Sequence, residues 1–266
     1  MQRITSASNA RLAQAARLIE SSRDRRKSGR CVLEGEHLIG VYAERIGTPE
    51  TVIVSETALA RPTTAALARR LDGVTLVVPE KLFAGLATLP VGVGIIAVIA
   101  TPQASPHGAS DFCVVIEDLQ DPGNVGSILR TCAAAGVDRV LLSKGSAFAW
   151  SPKVLRAAQG AHFLLEVEEG ADVLAWCTRY AGTGGRIVGT VVDGGTSLFG
   201  APLTGRIAIA LGNEGSGLSE ALQACITTRV TIPMPGGMES LNAAAAAAIC
   251  LYECVRQRTR GAAARQ

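Results

Sequence analysis

Residues 112–136, "FCVVIEDLQDPGNVGSILRTCAAAG", place an apolar run, a proline–glycine turn and a helical pattern in succession. "FCVVIEDL" reads as a strand, Pro122 and Gly123 mark the turn, and a helix is predicted over 124–135. On a helical wheel Val125, Ile128, Leu129, Cys132 and Gly136 share an arc of roughly 100°, the width of a core-facing stripe. Asn124, Ser127, Arg130 and Thr131 share the opposite arc, roughly 120° wide. An amide, two hydroxyls and one arginine, with no acidic partner among them, make either a solvated face or the floor of a polar site. The stretch alone leaves both open. A strand delivered into a helix by a short turn is the unit of an α/β fold.

The same grammar extends in both directions. Upstream, helices are predicted at 9–20, 36–45, 63–71 and 80–87, and strands at 31–35, 51–55, 74–78 and 92–100. Downstream, strands are predicted at 139–143, 164–167, 186–192, 206–212 and 229–234, and helices at 152–160, 171–181, 217–225 and 240–258. Such alternation predicts largely parallel sheets covered by helices. "TPQASPHGASD", residues 101–111, has prolines, small residues and no apolar periodicity, which makes it a linker. The predicted organisation is an α/β domain over 1–100, a linker over 101–111 and a second α/β domain over 112–266.

The formal net charge is only +3, but it is unevenly spread. Residues 1–30 carry eight basic side chains against two acidic ones, so the remainder is net negative by three. Arg23, Arg25, Arg26, Lys27 and Arg30 are the densest part, a run that suits either phosphates or solvent. Seven cysteines without regular spacing do not form a disulfide framework, and no C-x-x-C pair or histidine cluster points to a metal. "LPVGVGIIAVIA" is too short for a bilayer, which takes about 20 apolar residues. The start lacks the apolar core of a signal peptide. These features predict a cytoplasmic protein without membrane contact.

Two further junctions repeat strand, glycine loop and helix: "IALGNEGSGLS" at 209–219 and "IPMPGGMESLNAAAAAAICLYE" at 232–253. Strand ends that enter glycine loops are where open α/β sheets bind ligands. Gly212, Gly215 and Gly217 do not fit the G-x-G-x-x-G dinucleotide fingerprint, and no P-loop or G-x-S-x-G elbow is present. A nicotinamide-dependent oxidoreductase is thereby disfavoured. The six alanines 243–248 suit a helix packed under a tight loop or against a partner chain; a GC-rich genome gives the same enrichment. Ser240 is a candidate N-cap.

Together the three junctions, with "WSPKVLRAAQGAHF" between the first two, resemble the SpoU/TrmH family of RNA ribose 2′-O-methyltransferases within the SPOUT superfamily. The likeness covers residues 111–258. "ITSASNARLAQAARL", "RDRRKSGR" and "CVLEGEHLI" resemble the small α/β/α substrate-binding domain of rRNA-directed members. The resemblance implies a C-terminal domain threaded through a trefoil knot, a rare exception to unknotted topology. It also implies S-adenosylmethionine as cofactor, no metal, an RNA substrate and a homodimer paired through the knot region, to which the alanine helix contributes. Gly212, Ile232 and Leu241 match cofactor-contacting positions of the family, and Thr190 and Met234 are added to them. Asn124, Arg130, Glu214, Ser240 and Asn242 match its catalytic positions. Where many members have a serine this chain has Ala158, to which no role is given; Met238 and Glu239 lie in a loop that varies and tunes the substrate.

In the family the arginine matched by Arg130 removes the 2′-hydroxyl proton, yet a guanidinium keeps its own proton up to a pKa above ~12. The alternative is that Arg130 grips the neighbouring phosphate and polarises the hydroxyl while the phosphate takes the proton. Both readings stand at this point. So do three substrates or roles: large-subunit (23S) rRNA, favoured by the N-terminal domain, transfer RNA, and RNA binding without catalysis.

Overall fold

The computed structural model describes residues 1–86, 93–105, 110–192 and 194–263. Residues 106–109 of the expected linker, Ala87 of the expected helix at 80–87, Gly92 of the expected strand at 92–100 and residues 264–266 lie outside them. The chain divides into two compact units, Met1–Pro102 with Trp150–Phe163, and Gln103–Ala149 with Leu164–Gln266. The sequence reading placed 150–163 within 112–266; the structure groups this segment with the first unit.

In the first unit β1 (Gln2–Arg3) leads to α1 (Ala10–Glu20) and α2 (Ser22–Ser28), then β2 (Arg30–Glu34) and α3 (Glu36–Arg45). β3 (Thr51–Ser55), α4 (Glu56–Leu59), α5 (Pro62–Arg70), β4 (Thr75–Val78), α6 (Glu80–Ala84) and β5 (Ile95–Ala100) complete its main stretch. Asn9 caps α1 by accepting from the Arg11 amide, and Leu12, Ala15, Leu18 and Ile19 form its buried face. They pack on Val32, Ile53, Leu76 and Val98 of the sheet. The strand order is β1-β4-β3-β5-β2, and β5 runs antiparallel to both neighbours. This corrects the expectation of a largely parallel sheet here: among the described residues only β1–β4 and β3–β4 pair in parallel.

The second unit begins with β6 (Phe112–Ile116), α7 (Pro122–Ala135) and β7 (Arg139–Ser143). α8 (Pro152–Ala158), belonging to the first unit, precedes β8 (Glu166–Ala171). Then follow α9 (Val173–Gly182), β9 (Arg186–Thr190), β10 (Thr196–Ser197), β11 (Ile207–Leu211), α10 (Glu220–Gln223), β12 (Thr228–Thr231) and α11 (Ala243–Ala263). The order β10-β12-β9-β11-β6-β7-β8 is parallel at every pairing. β6 and β11 are buried along their whole length, as expected of strands covered on both faces. Because the strands are parallel, the ends of β6, β9, β11 and β12 open on one edge, and the loops that follow them meet there.

α7 forms as its sequence dictates. Asp121 is the N-cap, its carboxylate accepting from the Asn124 amide at 2.7 Å, and Pro122 takes the first turn, where a missing N–H costs nothing. Val125, Ile128, Leu129 and Cys132 are buried as expected. Gly136 is not part of that stripe: it is exposed and ends the helix in the left-handed region at φ 73.

Among the described residues no helix is long and apolar enough to cross a membrane, and no group of three or more His, Cys, Asp or Glu side chains is placed to hold a metal. All seven cysteines are free thiols, and all except Cys225 are buried. Burial pushes the thiols of Cys31, Cys113, Cys177, Cys250 and Cys254 up to about 12, far from a nucleophilic thiolate at neutral pH.

Candidate active site

Glu214 stands in the turn after β11, which Asn213 and Gly217 close by two reciprocal backbone hydrogen bonds of 3.0 and 2.9 Å. Its carboxylate reaches the start of α7. There Oε1 accepts from the side chain of Asn124 at 3.1 Å and from the Asp121 amide at 3.4 Å, and Oε2 accepts from the Gln120 amide at 3.4 Å. A carboxylate at a helix N-terminus also meets the positive end of the helix dipole. Burial is the largest single influence on this carboxyl and pushes its pKa up. The hydrogen bonds from its own backbone, from Asn124 and from the two amides outweigh it and leave the group below its ordinary value.

Asn124 passes the connection on. Its Oδ1 accepts from Nδ2 of Asn242 at 2.9 Å, and Oδ1 of Asn242 accepts from the amides of Ala244 and Ala245 at 2.9 and 3.2 Å. Asn242 is therefore what caps α11, correcting the assignment of that task to Ser240 and of the helix start to residue 240. Three segments far apart in sequence thus meet through Glu214, Asn124 and Asn242. The acidic partner missing from the polar face of α7 arrives from the turn after β11.

Beside this network lies a cavity of about 440 Å³, within the ~300–1,000 Å³ of small-molecule sites. Gly212, Ile232 and Leu241, matched to cofactor contacts, and Thr190 and Met234, added to them, all line it, as do Glu214, Ser240 and Asn242. Leu211, Ile232 and Leu241 make part of the wall apolar, while Ala243 and Ala246 keep the α11 side shallow. Gly212 is obligatory: a Cβ there would overlap the backbone of Gly217 and Leu218.

Arg130 is the exception. It is exposed on α7, six residues or ~9 Å along the axis from Asn124, and does not line the cavity.

In the first unit Arg23, Arg26 and Lys27 are exposed on α2. Arg25 is not part of that surface: it is 6 % exposed, and its Nη1 donates to the carbonyls of Leu18 and Ile19 at 2.5 and 2.9 Å, closing the last turn of α1. Arg30 is only partly exposed and pairs with Glu50 at 2.6 Å.

Sequence reasoning gave no role to Asp118, Asp121 or Asn213. Asp121 was legible as an Asp-Pro helix start. Asp118 lies at φ 54 and carries no local mark beyond the tolerance of aspartate for that region.

The model of the SpoU rRNA methylase family matches residues 111–252, the stretch that holds all three junctions. The chain belongs to the SpoU rRNA methylase family. Along its length it is 30 % identical to the 23S rRNA (guanosine(2553)-2′-O)-methyltransferase RlmP of Bacillus subtilis, covering 95 % of this chain and 98 % of that protein. Among solved structures, an RNA 2′-O ribose methyltransferase superposes with TM-score 0.81 at 31 % identity, over 97 % of this chain and 100 % of the other. The SpoU methyltransferase AviRb from Streptomyces viridochromogenes, in complex with AdoMet, superposes with TM-score 0.83 at 28 % identity, over 94 % and 98 %. The all-parallel seven-stranded sheet is thus the sheet of a SpoU family member.

Proposed function

We propose that this chain transfers a methyl group from S-adenosylmethionine to a ribose 2′-hydroxyl of RNA, and that the RNA is 23S rRNA of the large ribosomal subunit. The observation that carries the reading is the convergence of Asn124, Glu214 and Asn242 at the rim of a cavity lined by all five residues expected to contact the cofactor. The name of the Bacillus subtilis relative supports the substrate.

The cavity fits the donor. Leu211, Ile232 and Leu241 offer apolar surface for an adenosine, Ser240 and exposed backbone offer polar contacts, and among the described residues no Lys, Arg or His lines the space to repel a sulfonium. When bound, the donor supplies an electrophilic methyl on that sulfonium. The chain's own task is alignment: holding a ribose oxygen in line with the methyl recovers much of the acceleration without a metal. Glu214 and Asn242 fix Asn124, which orients the ribose. Arg130 reaches the RNA from the exposed face of α7, gripping the phosphate next to the target so that the hydroxyl is polarised and the phosphate accepts its proton. This path is chosen because a guanidinium surrenders its own proton so reluctantly.

The first unit binds the RNA through Arg23, Arg26 and Lys27. The second unit threads a trefoil knot, a reading supported by the segment before β11: Gln257 on α11 donates to the carbonyl of Ala201 and accepts from the Leu203 amide, holding that segment onto the helix. The protein acts as a cytoplasmic homodimer, to which α11 and the exposed Tyr252 contribute contact surface.

Incubating the full chain with methyl-labelled S-adenosylmethionine and unmodified rRNA tests the activity; label is expected at a 2′-oxygen of 23S rRNA. Label on transfer RNA alone replaces the substrate. RNA binding without label makes the chain a non-catalytic member.

A further inference from the structure

We infer that Asp118 and Asn213 are positioning residues for Glu214, linked through the left-handed backbone of Asp118. The inference rests on reading the cavity as the donor site. Asp118 follows β6 and has φ 54, a region that a non-glycine residue keeps only when its surroundings fix it. Two neighbours fix it. The Asp118 amide donates to Oγ of Ser143 at 2.9 Å, and the same hydroxyl donates back to the Asp118 carboxylate at 2.6 Å. On the other side, Gly145 leaves room for that carboxylate, which a Cβ at 145 would strike.

With the backbone held this way, the Asp118 carbonyl accepts from Nδ2 of Asn213 at 2.8 Å. Asn213 spends its other side-chain atom on its own turn. Oδ1 accepts from the amides of Gly215 and Ser216 at 2.9 and 3.1 Å and from the Ser216 hydroxyl at 3.3 Å. Glu214 sits inside that turn, and its carboxylate returns to Gln120, Asp121 and Asn124. The contacts form a closed circuit: from the end of β6 to the turn after β11, through one side chain to the next residue, and back to the start of α7. Asp118 does not line the cavity; its contact with the lining is through Asn213, which does. The circuit fixes Glu214, and through it Asn124, before any ligand arrives.

The experiment uses the full chain and three readouts: hydrogen exchange over 213–217, S-adenosylmethionine affinity by calorimetry, and single-turnover methyl transfer to unmodified rRNA at saturating donor. Asp118→Ala, which loses the Ser143 contact and disfavours the left-handed backbone, is expected to speed exchange at Gly215 and Ser216. It should also weaken donor binding about tenfold and slow transfer about tenfold. Asn213→Ala should do the same. The double variant should be no worse than either single, because both act on one path. Asp118→Asn keeps tolerance of the left-handed region and a side chain able to meet Ser143, and should recover most of the loss. A lower melting temperature with exchange, affinity and rate as in the unaltered protein overturns the proposal, and so does a double variant whose losses multiply. If the unaltered protein binds no S-adenosylmethionine, the reading of the cavity fails, while exchange over 213–217 still decides the link on its own.

Discussion

Nδ2 of Asn242 donates to Oδ1 of Asn124 at 2.9 Å across 118 residues of sequence, tying the first turn of α11 to the first turn of α7. The same side chain caps α11 through Oδ1, so its two ends do separable work. Asn242→Asp keeps an acceptor for the cap but has no donor for Asn124, whereas Asn242→Ala loses both. The alanine variant should lose about 1 kcal/mol of stability, typical of a missing cap, while the aspartate variant should unfold like the parent. Both should slow methyl transfer at least tenfold. Thermal melts beside single-turnover rates check this; an aspartate variant with the parent's rate would detach Asn124 from the chemistry.

Arg130 carries the heaviest chemical demand in the proposed mechanism and the lightest structural one. It is exposed and lies outside the cavity lining, so Arg130→Ala should change stability by less than about 0.5 kcal/mol. Donor affinity should be unchanged. Methyl transfer should fall by about 10²–10³, the range seen when one transition-state contact is removed. Calorimetry and labelled-methyl transfer separate the two effects, and near-normal turnover would remove Arg130 from the site.

The basic run of the first unit splits into two kinds of residue. Arg25 closes the carbonyl end of α1 from a buried position, so Arg25→Ala should destabilise the fold by leaving the Leu18 and Ile19 carbonyls without it. Arg23, Arg26 and Lys27 face solvent on α2. Neutralising these three should weaken RNA binding and flatten the slope of log K against log salt by up to ~2, at ~0.7 per single-strand phosphate contact. Binding titrations across a salt series decide this. An unchanged slope would return the run to an ordinary solvated helix.

This division of labour was beyond the reach of the sequence, and the reason is general. The strands at 51–55 and 139–143 and the helix at 36–45 were legible to the residue, because β-branched runs and apolar periodicity are local properties. The site residues were legible as motifs because each stands in a short junction. What failed depended on distant partners. The direction of β5 is set by pairing with β2 and β3, which no residue of β5 announces. The helix expected at 217–225 shrank to Glu220–Gln223, since Gly217 is held at φ 69 by the turn and Ser219 is the N-cap. Arg25 looked like its neighbours until the carbonyls of α1 claimed it.

Glu214 predicts a definite pH response. The folded protein holds its carboxyl below the ordinary value. The stability it contributes is therefore fully present above the unfolded pKa of about 4.3 and is lost as pH falls through the lower folded value. The melting temperature of the native protein minus that of Glu214→Gln should be constant from pH 8 to about pH 5 and shrink below about pH 4. Melts across that range check it, and a difference that grows on acidification would reverse the assignment.

Glu239 gives a prediction about the ligand itself. Among the described residues the cavity is lined by two carboxylates, Glu214 and Glu239, and by no cationic side chain. Glu214 is committed to Asn124 and two amides, which leaves Glu239 as the carboxylate whose charge can act on the contents of the cavity. S-adenosylmethionine carries a positive sulfur, and the thioether left after transfer does not, so Glu239 favours donor over product. Because the side chain is exposed, its effect is that of a solvated ion pair, roughly a two- to fivefold preference. Glu239→Gln should reduce the ratio of product to donor dissociation constants by that factor, and 1 M salt, where the screening length is ~3 Å, should do much the same to the native protein. Calorimetric titration with both compounds measures the ratio. If both affinities fall together, Glu239 shapes the loop and its charge plays no part in telling donor from product.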